Sequence, residues 1–175
     1  MSSEVHIKRV ARVVDTSAVI LLQKIGLLDL LVIGLDPDSG DCVGLPTEVV
    51  EELAEHPTGI ATLDGLSGKP WIVFGLEPSS EEVLGPGLGA GETATIQQGK
   101  ARGCAVVLDD MRGRRVAREL GVAVVGTLGL LVEAKRLGAI ERLEPVLDRL
   151  GDAGMWISPS VIEAVLASVG ESRGQ

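Results

Sequence analysis

Five short apolar runs, separated by segments of helical periodicity, constrain this chain more than any other feature. VARVV (10–14), CVGL (42–45), WIVFGL (71–76), CAVVLD (104–109) and VAVVG (122–126) are too short for helices and rich in valine. Such runs read as strands buried on both faces. The segments between them read differently. In TSAVILLQKIGLLDLLVIG (16–34), residues Ala18, Leu21, Leu22, Ile25 and Leu28 fall on one helical stripe. Thr16 or Ser17 offers its N-cap, and Gly26 splits it into two helical pieces.

The same pattern continues along the chain. Pro46 and Thr47 open EVVEELAEH (48–56), which Pro57 stops, and residues 58–69 read as a weak helix or a loop. ETATIQQGKARG (92–103) is a helix closed by Gly103, and MRGRRVAREL (111–120) is one closed by Gly121. From Thr127 onward the reading is helical, through TLGLLVEAKRLG (127–138), ERLEPVLDRLGDAG (141–154) and SPSVIEAVLASVG (158–170). DPDSGD (36–41) is turn material and LGPGLGAG (84–91) a glycine-rich loop.

Strands alternating with helices predict an α/β fold, a parallel sheet covered by helices on both faces. Right-handed crossovers then collect the C-terminal ends of the strands on one edge, where ligands of open α/β sheets bind. The length of 175 residues, without repeat or linker, predicts one domain. Its core spans about residues 10–138, and C-terminal helices follow over about 139–170.

Composition narrows the function. Aromatic residues are 2%, namely Trp71, Phe74 and Trp156, which argues against a protein that stacks bases on aromatic rings. The net charge of −9 gives no long-range attraction to nucleic acid. Cys42 and Cys104 have no CxxC partner and form no zinc site with His6 and His56. They read as free thiols of a reducing cytosol, and neither histidine stands near a candidate group. MSSEVHIKRVARVVD (1–15) has no apolar signal core and no run reaches a membrane-spanning length, so a cytoplasmic protein is expected.

Carboxylates gather at the predicted edge. Asp15 ends the first run, and Asp109 and Asp110 end the fourth. Glu52 lies in the helix after the second run, and Glu92 starts the helix after the glycine-rich loop. Carboxylates converging without histidine, thiol or lysine suit a hard divalent cation such as Mg2+ or Mn2+. Without a cation they repel one another, and some stay protonated. Each also has a simpler reading. Glu92 fits a helix N-terminus, Asp109 and Asp110 fit caps, and Glu48, Glu51 and Glu52 fit a solvated face. The glycine-rich GPGLGAGE does not follow the first strand, as a dinucleotide fingerprint must. DTS (15–17) has serine where an aspartyl-nucleophile phosphatase needs a second aspartate.

VVDTSAVI (13–20), LPTEVVEEL (45–53), GAGETATI (89–96) and VVLDDMRGRRVA (106–117) resemble, in that order, the acidic motifs of PIN-domain ribonucleases. GTLGLLVEAKRLG (126–138) and VLDRLGDAGMWIS (146–158) are similar to the prokaryotic subgroup related to VapC toxins. The resemblance implies a three-layer α/β/α sandwich with a parallel central sheet and a helical C-terminal extension. It implies a Mg2+- or Mn2+-dependent endoribonuclease, the toxin of a toxin–antitoxin pair, with an RNA substrate, an antitoxin partner and a homodimer.

The matching positions are Asp15, Glu52, Glu92 and Asp110 as catalytic acids, with Glu51 and Glu48 as register alternatives to Glu52. Asp15, Glu92, Asp110 and the adjoining Asp109 are the implied metal ligands. Thr16 and Ser17 are implied to bond a carboxylate, a metal water or substrate. Arg112, Arg114 and Arg115 begin a helix, where cations oppose the macrodipole at about 0.3–1 kcal/mol each. The neighbouring aspartates or an RNA phosphate could offset that cost, and Arg112 or Arg115 is expected to touch substrate or antitoxin. The chain departs from the family pattern at Ala94, where relatives often carry an acid, and in the turn at 34–41. A PIN-like binding or scaffold protein that no longer cuts therefore stands as the second reading. Leu27, Leu28, Leu30 and Leu31 read as core, or as an interface for a second copy or an antitoxin.

Overall fold

The computed structural model describes residues 8–78 and 84–174, so His6 lies outside the described residues. Five strands form one parallel sheet in the order β3-β2-β1-β4-β5. They are β1 (Arg9–Val14), β2 (Asp41–Pro46), β3 (Ile72–Leu76), β4 (Ala105–Val107) and β5 (Val124–Val125). Their connections run through α1 (Thr16–Lys24), α2 (Thr47–Ala54), α3 (Pro57–Leu66), α4 (Ala90–Arg102) and α5 (Met111–Glu119). After β5 come α6 (Thr127–Arg136), α7 (Glu144–Asp152) and α8 (Pro159–Ala167).

The period of two along the central strands divides the core into the two outer layers. Val14 and Val107 face a large apolar cluster built with Ala18, Val19 and Leu22 of α1, Leu130 and Leu131 of α6 and Leu150 of α7. Val13 and Val106 face the other side, against Ile96 of α4 and Ala117 of α5. The fold is the three-layer α/β/α sandwich that the alternation of runs predicts, and α7 and α8 pack on the α1 face.

Two local details differ from the sequence reading and two sharpen it. The weak segment at 58–69 is a helix, α3, with Pro57 in its first turn. Gly59 makes this possible, because a Cβ there would collide with the Leu53 carbonyl of α2. The N-cap of α1 is Asp15 rather than Thr16 or Ser17. The strand-like run at 104–109 pairs only over Ala105–Val107, because the chain then turns to cap α5. Finally, Leu28, Leu30 and Leu31 are buried in a 3-10 helix over Leu28–Val32, and Leu27 is half-buried against the same core. They serve packing, as the core reading of these leucines expects. As expected, Cys42 and Cys104 are free thiols, the first buried and the second half-buried. Among the described residues no helix is long and apolar enough to cross a membrane.

The helix that carries Glu92 is set against the sheet through a glycine. A Cβ at Gly99 of α4 would collide with Val106 Cγ1 and lie 3.1 Å from Val122 Cγ1. Gly99→Ala is expected to destabilise the chain by about 1–3 kcal/mol in urea unfolding. Val106→Ala in the same chain should recover part of that loss, giving a favourable coupling in the double-mutant cycle.

Candidate active site

The site begins with the pairing of β1 and β4. Val14 lies beside Val107, and the Asp15 amide donates to the Val107 carbonyl at 3.1 Å. This fixes Asp15 at the C-terminal edge next to the turn carrying Asp109 and Asp110. Asp15 is only 4% exposed. Its Oδ2 accepts the Ser17 hydroxyl at 2.7 Å and the Ser17 amide at 3.2 Å. Its Oδ1 is buried and, among the described residues, has no hydrogen-bond partner. Burial pushes the Asp15 carboxyl up to about 6, the Ser17 bonds oppose that rise, and the charge of Glu92 adds to it.

Glu52 approaches from α2. The Thr16 hydroxyl donates to its Oε2, and the Gly91 amide donates to its Oε1 at 2.8 Å. A Cβ on Gly91 would lie 2.6 Å from Glu52 Oε2, so a side chain there would push the Glu52 carboxylate from its present place. Of the register alternatives, Glu51 is exposed. Glu48 keeps one buried oxygen, Oε2, without a partner. Thr16 and Ser17 both bond carboxylates of the site.

Glu92 and Asp110 both approach Gly113. A Cβ at Gly113 would lie 3.8 Å from Glu92 Oε1 and 3.9 Å from Asp110 Oδ1. Glu92 Oε2 accepts the Gly89 amide at 2.8 Å, one half of a capping box. Asp110 caps α5 through Oδ1, which accepts the amides of Arg112 at 2.8 Å and Gly113 at 2.9 Å. Ala94, the departure from the family pattern, is buried.

Asp109, expected among the metal ligands, has both oxygens engaged elsewhere. Oδ1 accepts the Thr127 amide at 2.7 Å, and Oδ2 accepts the Thr127 hydroxyl at 2.6 Å. The arginines also separate. Arg112 is exposed and its guanidinium lies against Gly87 of the glycine-rich loop. Arg114 donates to the Leu108 carbonyl at 2.8 Å. Arg115 makes an exposed ion pair with Glu119, 3.7 Å away and one turn on. His56 is exposed at the start of α3. Thr127, Gly91 and Gly113 carried no role in the sequence reading; the GTLG segment was the one signal that pointed at Thr127.

Among the described residues no three His, Cys, Asp or Glu side chains form a ready-made metal cage. The donor set nonetheless fits a hard divalent cation. It is all oxygen, and one buried carboxylate oxygen, Asp15 Oδ1, lacks any partner. Mg2+ in particular keeps several waters and needs only one or two carboxylates.

A parallel α/β/α sheet with carboxylates gathered at the C-terminal ends of its central strands defines the class of protein. A PIN-domain family model matches residues 11–171, and the chain belongs to the PIN-domain family. PIN domains are in general nucleases that act on RNA, and the family generally uses divalent metals. No curated protein matches the chain.

The Asp15 carboxyl, at about 6 against an ordinary value of 3.8, gives a testable pH dependence. A raised carboxyl lends stability that is fully present below the ordinary value and is lost as pH rises through about 6. Asp15→Asn lacks this loss. In chelator, its stability relative to the parent chain should rise between pH 4 and 7 by roughly 2 kcal/mol, read by urea unfolding.

Proposed function

We propose that the chain is a Mg2+- or Mn2+-dependent endoribonuclease. The observation that supports this best is the buried Oδ1 of Asp15, partnerless among the described residues, on the edge that also carries Glu92 and Asp110. Asp15, Glu92 and Asp110 would hold the cation, and Glu52 completes the set of catalytic acids. When bound, the cation supplies a lowered pKa for water and offsets charge on the phosphodiester in the transition state. Ser17 holds Asp15 Oδ2, which leaves Oδ1 for the ligand. Thr16 and the Gly91 amide hold Glu52 and so tie α2 and α4 to the Asp15 turn.

Arg112 would meet an RNA phosphate, a reading supported by its exposure beside the glycine-rich loop. Arg115 is available too, because an exposed ion pair such as that with Glu119 contributes at most about 1 kcal/mol. The toxin role, with an antitoxin partner and a homodimer as its assembly, rests on the likeness of residues 126–138 and 146–158 to the VapC-related subgroup, and a cytoplasmic location on the lack of an apolar signal core in residues 1–15. A PIN-like scaffold that no longer cuts is the second reading, favoured by Ala94 and by the absence of a ready-made cage among the described residues.

One experiment separates the two. The parent chain should cleave single-stranded RNA with Mn2+ and stop with chelator, and Asp15→Asn should cleave no faster than buffer. Mn2+ should also raise the melting temperature of the parent chain but not that of Asp110→Ala. Equal cleavage by Asp15→Asn, or cleavage in chelator, sinks the nuclease reading. No cleavage and no Mn2+ shift leaves the scaffold.

The arginine has its own readout. Arg112→Ala should weaken RNA binding evenly across sequences. It should also flatten the log–log salt slope by about 0.7, the value for one phosphate contact on a single strand.

A further inference from the structure

We infer that Thr127 is a positioning residue that acts through Asp109 to hold Asp110 in place for a divalent cation. This rests on the nuclease reading above and adds a residue to it. Thr127 belongs to the GTLG segment, far from the acidic motifs in sequence. It is fully buried and spends both its amide and its hydroxyl on Asp109. The preceding residue, Gly126, is the N-cap of α6 and has no side chain to cap it. Asp109 supplies the missing cap from 18 positions away.

Gly126 also leaves room for the ends of two side chains. A Cβ there would collide with Arg114 Nη1 and lie 3.0 Å from Asp109 Oδ1. The clamp is therefore a Gly-Thr pair: glycine admits the arginine and the carboxylate, and threonine bonds the carboxylate twice.

The consequence falls on the next residue. The turn Leu108–Asp110 is pinned at each of its three positions. Arg114 holds the Leu108 carbonyl, Thr127 holds the Asp109 carboxylate, and the amides of Arg112 and Gly113 hold Asp110 Oδ1. Asp110 is exposed, and among the described residues only amides of its own helix bond its carboxylate. Its direction depends on the backbone beneath it, which the clamp fixes. Groups that orient ligands in this way tune metal affinity without touching the metal.

The test uses the full chain with Thr127→Val, which keeps the shape and the amide bond but loses the hydroxyl, and Thr127→Ser, which keeps the hydroxyl. Calorimetry should show Thr127→Val binding Mn2+ roughly tenfold more weakly. Metal-free hydrogen exchange should show lost protection at the Arg112 and Gly113 amides. Thr127→Ser should match the parent chain in both. If Thr127→Val does not fold, Asp109→Asn takes its place with the same expectations.

A merely structural clamp would lower stability and leave both readouts unmoved. Either readout unmoved, in a parent chain that binds Mn2+, overturns this inference alone. A parent chain that binds no Mn2+ and cleaves no better than Asp15→Asn overturns the nuclease reading, and this inference with it.

Discussion

The helices that start at the C-terminal edge of the sheet seat the carboxylates of the site on their N-terminal amides, and the rest of the arrangement depends on this. Asp15 caps α1, Asp110 caps α5, and Asp109 caps α6 from a distance. Glu92 bonds the Gly89 amide at the entry to α4, and Glu52 bonds the Gly91 amide in its first turn. Each helix N-terminus carries a partial positive charge, and an anion there gains about 0.3–1 kcal/mol. The repulsion that this many acids would otherwise produce is spread over fixed dipoles. The backbone can therefore assemble the edge before any cation arrives.

Asp15 is where the offset is least complete. Its N-cap bonds serve Oδ2, while Oδ1 is buried with nothing to accept from. A buried acceptor without a partner costs about 1–3 kcal/mol. The raised carboxyl value reflects the same deficit. Glu52, by contrast, has a donor on each oxygen. The acids thus differ in what they still lack, and the one that lacks most sits on the central strand.

The edge itself was legible in the sequence, because short valine-rich runs alternating with helical segments leave little choice of topology. Once β1 and β4 are neighbours, Asp15 must lie beside the turn at 108–110. What was not legible depended on contacts between distant residues. Nothing local distinguishes Asp109 from Asp110; the difference is a threonine in α6 that engages one and not the other. Nothing local says that Glu52 rather than Glu51 faces the Asp15 turn, since that follows from how α2 sits against Gly91. The helix at 57–66 was obscured by its glycines, one of which is there so that α3 can approach the Leu53 carbonyl. Low helix propensity and close packing have the same cause at that position.

The arginines after the aspartates complete the electrostatics. Three cations in the first turns of α5 oppose its dipole, yet the structure handles each differently. Arg114 turns back and gives its charge to the Leu108 carbonyl, so it strengthens the turn that carries the acids. Arg115 points along the helix to Glu119, where solvent screens the pair. Arg112 lies over Gly87, and no acid of the described residues bonds its guanidinium. Arg112 is exposed and hydrated, so its one cost is the about 0.3–1 kcal/mol of a cation opposing the helix dipole, which an anion meeting it there would offset. An RNA phosphate arriving at the edge would bring that anion to Arg112 and its scissile bond to the carboxylates in one approach.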